Sequence, residues 1–335
     1  MCANCADDRA AVADALRRAR RIVLTTHVRP DGDALGSVTA LYVSAGLAGK
    51  NCQMVIPDAI PRRYAFLLEQ HSPSPAERFA ELAGAADLIV VLDTCAFAQL
   101  TPMAQALKQH RRKVAVIDHH ATGDDVGSAV WRDESAAAVG VMLLELLGEL
   151  GWPFDVVAAE ALMTAICADT GWFRYANTDA RALNAARMLA TAGVRLDELH
   201  GRLYQSDRPQ RVRLFGAALG SLELHADDRL ALVTLTQEDF ARTGAAAEET
   251  EDLASEPLRI ASVEIAALLV EQPDGQARVS LRSRRVADVA RIAAGFGGGG
   301  HARAAGFRAD AGIAAVKQRL IAACGEAIQQ ARLDG

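Results

Sequence analysis

The sequence predicts an α/β protein of two domains, a mainly parallel sheet covered by helices and then a smaller α/β domain, with a cleft between them. Three observations predict it. The chain has 335 residues, more than one hydrophobic core usually supports, so two lobes are expected. In its first part, short β-branched apolar runs alternate with segments of helical period, the pattern of strands joined by crossover helices. Beyond Leu214 the pattern changes to strands, a glycine run and one final helix.

The elements follow in order. Helical periodicity covers Asp8–Arg20, and Ile22–Thr26 reads as a buried strand running into His27. Gly36–Leu47 is expected as a helix, Cys52–Ile56 and Asp87–Leu92 as strands, Thr101–His110 as a helix and Lys113–Ile117 as a strand. Helices are then expected over Ala136–Leu150, Asp155–Cys167 and Thr178–Ala192. Residues 193–213 show no strong apolar period and are expected to connect a first domain, 1–192, to a second, 214–335. There, strands are expected at Leu230–Leu235, Ile260–Leu269 and Ala277–Arg282, and a helix at Gly312–Arg332. Thr243–Glu256, rich in Ala and Glu, reads as an exposed loop or helix end.

Composition narrows the function. Hydrophobic residues make up 51% and charged residues 23%, values of an ordinary globular protein, and no segment approaches the roughly 18 apolar residues of a membrane span. The first ten residues lack a basic start followed by an apolar run, so a cytoplasmic location and no membrane partner are expected. Six scattered cysteines have no framework spacing and are expected to be thiols. Cys2-x-x-Cys5 lacks the second ligand pair of a zinc site. A net charge of −6 offers no basic field to hold long nucleic acid through many phosphates. A polyanionic substrate would have to be small and gripped locally.

In open parallel sheets the functional crevice lies outside the carboxyl ends of the strands. Here the first strand runs into His27, Asp31 and Asp33, the run Leu88–Leu92 ends at Asp93, and Val114–Ile117 ends at Asp118-His119-His120. Asp169 follows the apolar run Ala161–Cys167. Five carboxylates converging in one crevice repel one another by several kcal/mol unless cations are present. Carboxylates and imidazoles without thiolates suit hard or borderline divalent cations, Mn(II) above Mg(II) because imidazole is an unusual ligand for Mg(II). Ser37, after Gly36 at a helix start, reads as a cap or packing residue rather than a nucleophile.

These residues carry a resemblance. Asp118-His119-His120 resembles the signature of the DHH phosphoesterase superfamily, and His27-x-x-x-Asp31-Gly-Asp33-x-x-Gly36-Ser37 resembles its first motif. Asp93 and Asp169 stand where further motifs would, and Gly297-Gly-Gly-Gly300-His301-x-x-Ala304-Ala305-Gly306 resembles the DHHA1 signature. Within the superfamily, the size and Ala168-Asp-Thr-Gly-Trp-Phe-Arg-Tyr175 are most similar to the NrnA type, which degrades very short oligoribonucleotides and dephosphorylates 3′-phosphoadenosine 5′-phosphate. The resemblance implies one metal on His27, Asp31 and Asp93 and a second on Asp33, Asp93, His119 and Asp169, with Asp93 bridging. It further implies that His120 contacts substrate or the leaving oxygen, and that Asp118 orients a neighbouring histidine. The chemistry implied is two-metal hydrolysis by an activated water, the cations about 3.5–4 Å apart.

In the second lobe, glycines let backbone N–H groups approach an anion and arginine offers a phosphate a two-pronged donor. With the DHHA1 resemblance, Arg282, Ser283, Gly299, Gly300 and His301 become the candidates for gripping the base or terminal phosphate of a nucleotide, with Arg284 and Arg303 equally readable as solvated charges. The expected partners are therefore short RNA or DNA, or a mononucleotide with an extra phosphate, and a homodimer is left open. A cyclic or linear dinucleotide phosphodiesterase is the alternative, and a non-catalytic nucleotide sensor a more distant one. The glycine-rich segment argues against a family II pyrophosphatase, and the lack of added modules and basic surface against a long single-strand exonuclease.

Overall fold

The computed structural model describes residues 3–250 and 252–333. The chain divides into two compact units, Met1–Ser206 and Asp207–Gly335. The Cys2-x-x-Cys5 pair lies outside the residues whose side chains are described.

The first unit runs α1 (Ala3–Arg18), β1 (Arg21–Thr25), α2 (Gly32–Leu47), β2 (Asn51–Val55), α3 (Phe79–Ala85), β3 (Leu88–Leu92), α4 (Ala104–Gln109), β4 (Val114–Asp118) and β5 (Ala129–Arg132), then four helices, α5 (Val139–Leu150), α6 (Val156–Asp169), α7 (Ala180–Thr191) and α8 (Leu196–Tyr204). Its five strands are all parallel, in the order β2-β1-β3-β4-β5. Alternate residues feed two cores. Ile22, Leu24, Leu88, Val90, Ala115 and Ile117 pack on the side of α1, α2, α5 and α6, while Val23, Ile89, Val91, Val114 and Val116 pack on the side of α3 and α4. Burial of both faces explains why these strands read as continuous apolar runs. From β1 the chain goes outward to β2, then returns past β1 to β3. The reversal between β1 and β3 opens a crevice at their carboxyl ends, and this is where the expected ligands fall.

Helix α2 begins a turn earlier than its periodicity suggested. The Asp31 carboxylate accepts hydrogen bonds from the Asp33 and Ala34 N–H groups, both at 3.0 Å, an N-cap worth about 1 kcal/mol. Helix α2 packs so closely on α6 that a Cβ at Gly36 would lie 2.4 Å from the Ala161 carbonyl oxygen. Any side chain there would separate the helices that carry Asp33 and Asp169. Residues 193–213, expected as a connection, are largely helical instead. Leu199 and Leu203 of α8 are buried in the first core, but two apolar anchors are too few to show a period in sequence.

The second unit comprises α9 (Pro209–Gly220), β6 (Glu223–His225), β7 (Leu230–Leu235), α10 (Gln237–Thr243), β8 (Ile265–Glu271), β9 (Ala277–Ser283), α11 (Val289–Ala294), β10 (Gly299–His301), β11 (Ala304–Ala309) and α12 (Ile313–Leu333). Its sheet has the order β10-β11-β9-β8-β7-β6 and is antiparallel except between β7 and β8. Val279 and Leu281 face a core with α11 and α12, while Leu268 and Val270 face one with α9 and the 3-10 turn Leu253–Arg259. Thr243–Glu256 holds the end of α10, as expected, and also 3-10 turns that bury Thr250, Leu253 and Ala254. Among the described residues no helix is long and apolar enough to cross a membrane.

Candidate metal centre

Three strand ends, the start of α2 with Asp31 and Asp33, and the end of α6 supply the polar residues of the first unit's crevice. His27 lies just beyond β1, Asp93 just beyond β3, Asp118 ends β4 and is followed by His119 and His120, and Asp169 ends α6. The backbone is strained at the same places. Among the described residues of this unit, the non-glycine residues with positive φ are Arg29 (55°), Asp93 (62°), Trp172 (58°) and Phe173 (63°). Arg29 lies between His27 and Asp31, and the last two lie just past Asp169. Such conformations cost of order 1–3 kcal/mol each and cluster where a site needs a particular geometry.

Asp93 stands between two groups of side chains. His27 turns Nδ1 to the Val28 carbonyl at 2.9 Å, which leaves Nε2 at 3.4 Å from Asp93 Oδ2 and 4.0 Å from Asp31 Oδ1. On the other side, His119 turns Nδ1 to the Ala136 carbonyl at 3.0 Å. Its Nε2 lies 3.1 Å from Asp169 Oδ2, 3.5 Å from Asp93 Oδ1 and 3.9 Å from Asp33 Oδ2. His27, Asp31 and Asp93 thus form one three-ligand group, Asp33, His119 and Asp169 another, and Asp93, His119 and His120 a third that overlaps both. The His119 Nε2 and Asp93 Oδ1 atoms are buried and form no aligned hydrogen bond. Buried polar atoms almost always have a partner, and an imidazole nitrogen and a carboxylate oxygen turned to the same point are the donor set of a divalent cation. The residues fit a metal.

The electrostatics agree. Burial raises the Asp33 carboxyl to about 7, with Asp169 adding to the rise. Burial and the carboxylates of Asp33, Asp31 and Asp169 push Asp93 well above the usual range. Burial opposes the His119 imidazolium, but Asp169 and Asp33 hold it up to about 10.

Asp33 is also structural. Fully buried in the first turn of α2, it accepts from the Ser37 hydroxyl at 3.0 Å and from the Val139 and Gly140 N–H groups at 2.6 and 3.0 Å. It therefore caps α5, whose own N-cap residue, Ala138, makes no side-chain cap. Ser37 is neither a cap nor mere packing, as its sequence position suggested; it fixes the Asp33 carboxylate. Asp118 does the same for His120, accepting from Nδ1 at 2.8 Å and from the backbone N–H at 3.2 Å, and that bond raises the His120 pKa. Sequence reading also missed Asn177, whose amide donates to the Asp169 and Ala137 carbonyls at 3.0 and 3.2 Å; no sequence signal marks it.

In the second unit, register brings two candidates onto one row. Arg282 on β9 and His301 on β10 each lie opposite Ala304 of β11, so all three point to one face, with the outer two about 10 Å apart. The neighbouring row is Ser280, Gly306 and Gly299, which leaves that face nearly flat beside the arginine. Gly300 alternates with these on the exposed strand β10. Ser283 departs from expectation: it is 6% exposed, and its hydroxyl donates to the Ala287 carbonyl at 2.7 Å. Neither Arg284 nor Arg303 is a merely solvated charge. Arg284 donates to the carbonyls of Leu258, Ile260 and Ala261, and Arg303 to that of Ala287.

Comparison with known proteins agrees with both halves. The DHH family N-terminal domain matches residues 21–166, and the DHHA1 domain matches residues 230–330. The bifunctional oligoribonuclease and PAP phosphatase NrnA of Thermus thermophilus is 33% identical over 85% of this chain and 83% of its own. The protein of the same name from Bacillus subtilis is 28% identical over 85% of this chain and 88% of its own. Among solved structures, an exopolyphosphatase-related protein from Bacteroides fragilis superposes with a TM-score of 0.89, covering 97% of this chain and 96% of that one at 24% identity.

Proposed function

The chain belongs to the DHH family of phosphoesterases, in the form that carries a DHHA1 domain, and on that premise we propose that it hydrolyses short oligonucleotides of about two to five residues, with a shallow salt dependence, and 3′-phosphoadenosine 5′-phosphate. The observation that carries this reading is the position of Asp93 between two clusters of possible ligands, its Oδ2 3.4 Å from His27 Nε2 and its Oδ1 3.5 Å from His119 Nε2. The activities for which the Thermus and Bacillus relatives are named support the choice of substrate.

In this reading His27, Asp31 and Asp93 hold one divalent cation, and Asp33, Asp93, His119 and Asp169 hold a second. Mn(II) is preferred over Mg(II) because two of these ligands are imidazoles. Bound there, the cations supply an acidified water and neutralise charge on the attacked phosphate. The chain's own residues do the rest. The Val28 and Ala136 carbonyls fix the ring orientation of the two ligand histidines, so each offers Nε2 inward. Ser37 and the N-terminus of α5 hold the Asp33 carboxylate in place. His120, whose pKa is raised by its hydrogen bond to Asp118, contacts the attacked phosphate or the departing oxygen. Arg282 and His301, with the backbone at Gly299 and Gly300, bind the nucleotide's base or its far phosphate; the committed Ser283 hydroxyl takes no part.

The test is turnover by the purified chain with Mn(II), with Mg(II) and with EDTA, on a dinucleotide, 3′-phosphoadenosine 5′-phosphate, a cyclic dinucleotide and pyrophosphate. Metal-dependent release from the first two is expected. Rapid opening of the cyclic dinucleotide alone, or hydrolysis of pyrophosphate alone, would replace the reading.

A further inference from the structure

We infer that Tyr175 is a stacking platform for a nucleobase of the substrate, an inference that rests on the nucleotide reading above. The segment after the proposed ligand Asp169 is built in an unusual way. Gly171, Trp172 and Phe173 are three successive residues in the left-handed region, with φ of 55°, 58° and 63°. Two of the three have side chains, so the conformation is strained. It is braced on all sides. Trp172 N–H donates to the Cys167 carbonyl at 2.7 Å, Phe173 N–H to the Thr170 hydroxyl at 3.1 Å, and the Arg174 Nε to the Gly171 carbonyl at 2.7 Å. The turn packs Trp172 and Phe173, both partly buried, against the first core, where the Trp172 ring meets the rings of His200 and Tyr204 edge-on at 5.0 and 5.7 Å.

Tyr175 is treated differently. Its N–H is tied to the Thr170 carbonyl at 3.0 Å, yet the residue is 53% exposed. A Cβ built on Gly171 would lie 2.3, 2.4 and 2.6 Å from its Cζ, Cε1 and Cε2 atoms. Such near-equal distances to three adjacent ring atoms place Gly171 over the face of the ring, not at its rim. One face therefore rests on the Gly171 backbone, two residues from Asp169, while about half of the residue stays exposed. The position needs glycine twice, for its φ and for this contact. A half-exposed aromatic ring, seated on a strained turn that directly follows the proposed ligand Asp169, is the kind of surface on which a base stacks regardless of its identity.

The test compares Tyr175→Leu and Tyr175→Phe with the wild-type chain on a dinucleotide and on its two analogues in which one or the other base is replaced by hydrogen. With Mn(II), Tyr175→Leu should raise KM for the dinucleotide about tenfold with little change in kcat, and Tyr175→Phe should restore it. One abasic analogue should already be a poor substrate for the wild type, and the substitution should add much less on it than on the dinucleotide. An equal fall in kcat on all three substrates would assign Tyr175 to support of the turn at Asp169, and no effect of Tyr175→Leu would remove it from the site; both outcomes overturn the inference. A wild-type chain that cleaves pyrophosphate but no dinucleotide would overturn it too, and that result, unlike the others, would also end the nucleotide reading.

Discussion

The Ser37 hydroxyl donates to Asp33 Oδ1 at 3.0 Å, one helical turn along α2, where both residues are fully buried. Partners of this kind typically change metal affinity by about 10- to 100-fold. Ser37→Ala should weaken Mn(II) binding, followed by calorimetry, about tenfold, with a parallel fall in turnover at limiting metal that excess Mn(II) recovers. Unchanged affinity would reduce the contact to packing.

Asp93 belongs to the His27 group and also lies 3.5 Å from His119 Nε2, the place of the proposed shared ligand, and its φ of 62° suits asparagine better than most residues. Asp93→Asn should therefore fold, lose hydrolysis to background and lose the Mn(II)-induced rise in Tm. Because burial and neighbouring carboxylates already push this carboxyl well above its usual range, the metal-free variant should be at least as stable as the wild type. A variant with near-normal turnover would take Asp93 out of the site.

The cluster sets a pH dependence of stability whose sign can be worked out. Asp33 rises from 3.8 to about 7 on folding, so the folded chain binds its proton more tightly, and stability falls as pH climbs between those values. His119 rises from 6.5 to about 10; its contribution is fully present below 6.5 and is lost as pH climbs through about 10. In EDTA, Tm should fall from pH 5 to pH 9, and Asp33→Asn should flatten the lower part of that slope. With Mn(II), which binds the deprotonated ligands, the gain in Tm should grow with pH. A metal-free Tm that rose across this range in the wild type, and did so unchanged in Asp33→Asn, would contradict the assignment.

Arg282 and His301 share a row across Ala304. Replacing either by Ala should cost about 1–3 kcal/mol in kcat/KM on nucleotides, and less on a small generic phosphodiester. Equal loss on both substrates would mean that the residues support the fold.

Much of this was legible in the sequence because the signals were local. The runs at Ile22, Leu88 and Val114 are β-branched and doubly buried, so the ends of those strands, and with them His27, Asp93 and Asp118, could be located from the chain alone. What escaped depends on contacts far apart in sequence. Asp33 caps a helix that begins more than a hundred residues later, Ser37 serves a carboxylate rather than a helix end, and Ser283 is spent on a carbonyl. Strands β5 and β11 are edge-like or alanine-rich and carry little apolar period, and α8 is held by two leucines.

The most direct measurement is initial rate with Mn(II) against RNA length from two to twenty-four nucleotides, at two salt concentrations, beside the Asp93→Asn variant. The net charge of −6 and the local grip allow only a few phosphate neutralisations, so the rate should be greatest at about two to five nucleotides, fall with length and change little with salt. In the Asp93→Asn variant it should vanish at every length. A wild-type rate that climbs with length and drops steeply with salt would contradict the short-substrate reading, and persistence of that rate in the variant would contradict the metal centre itself.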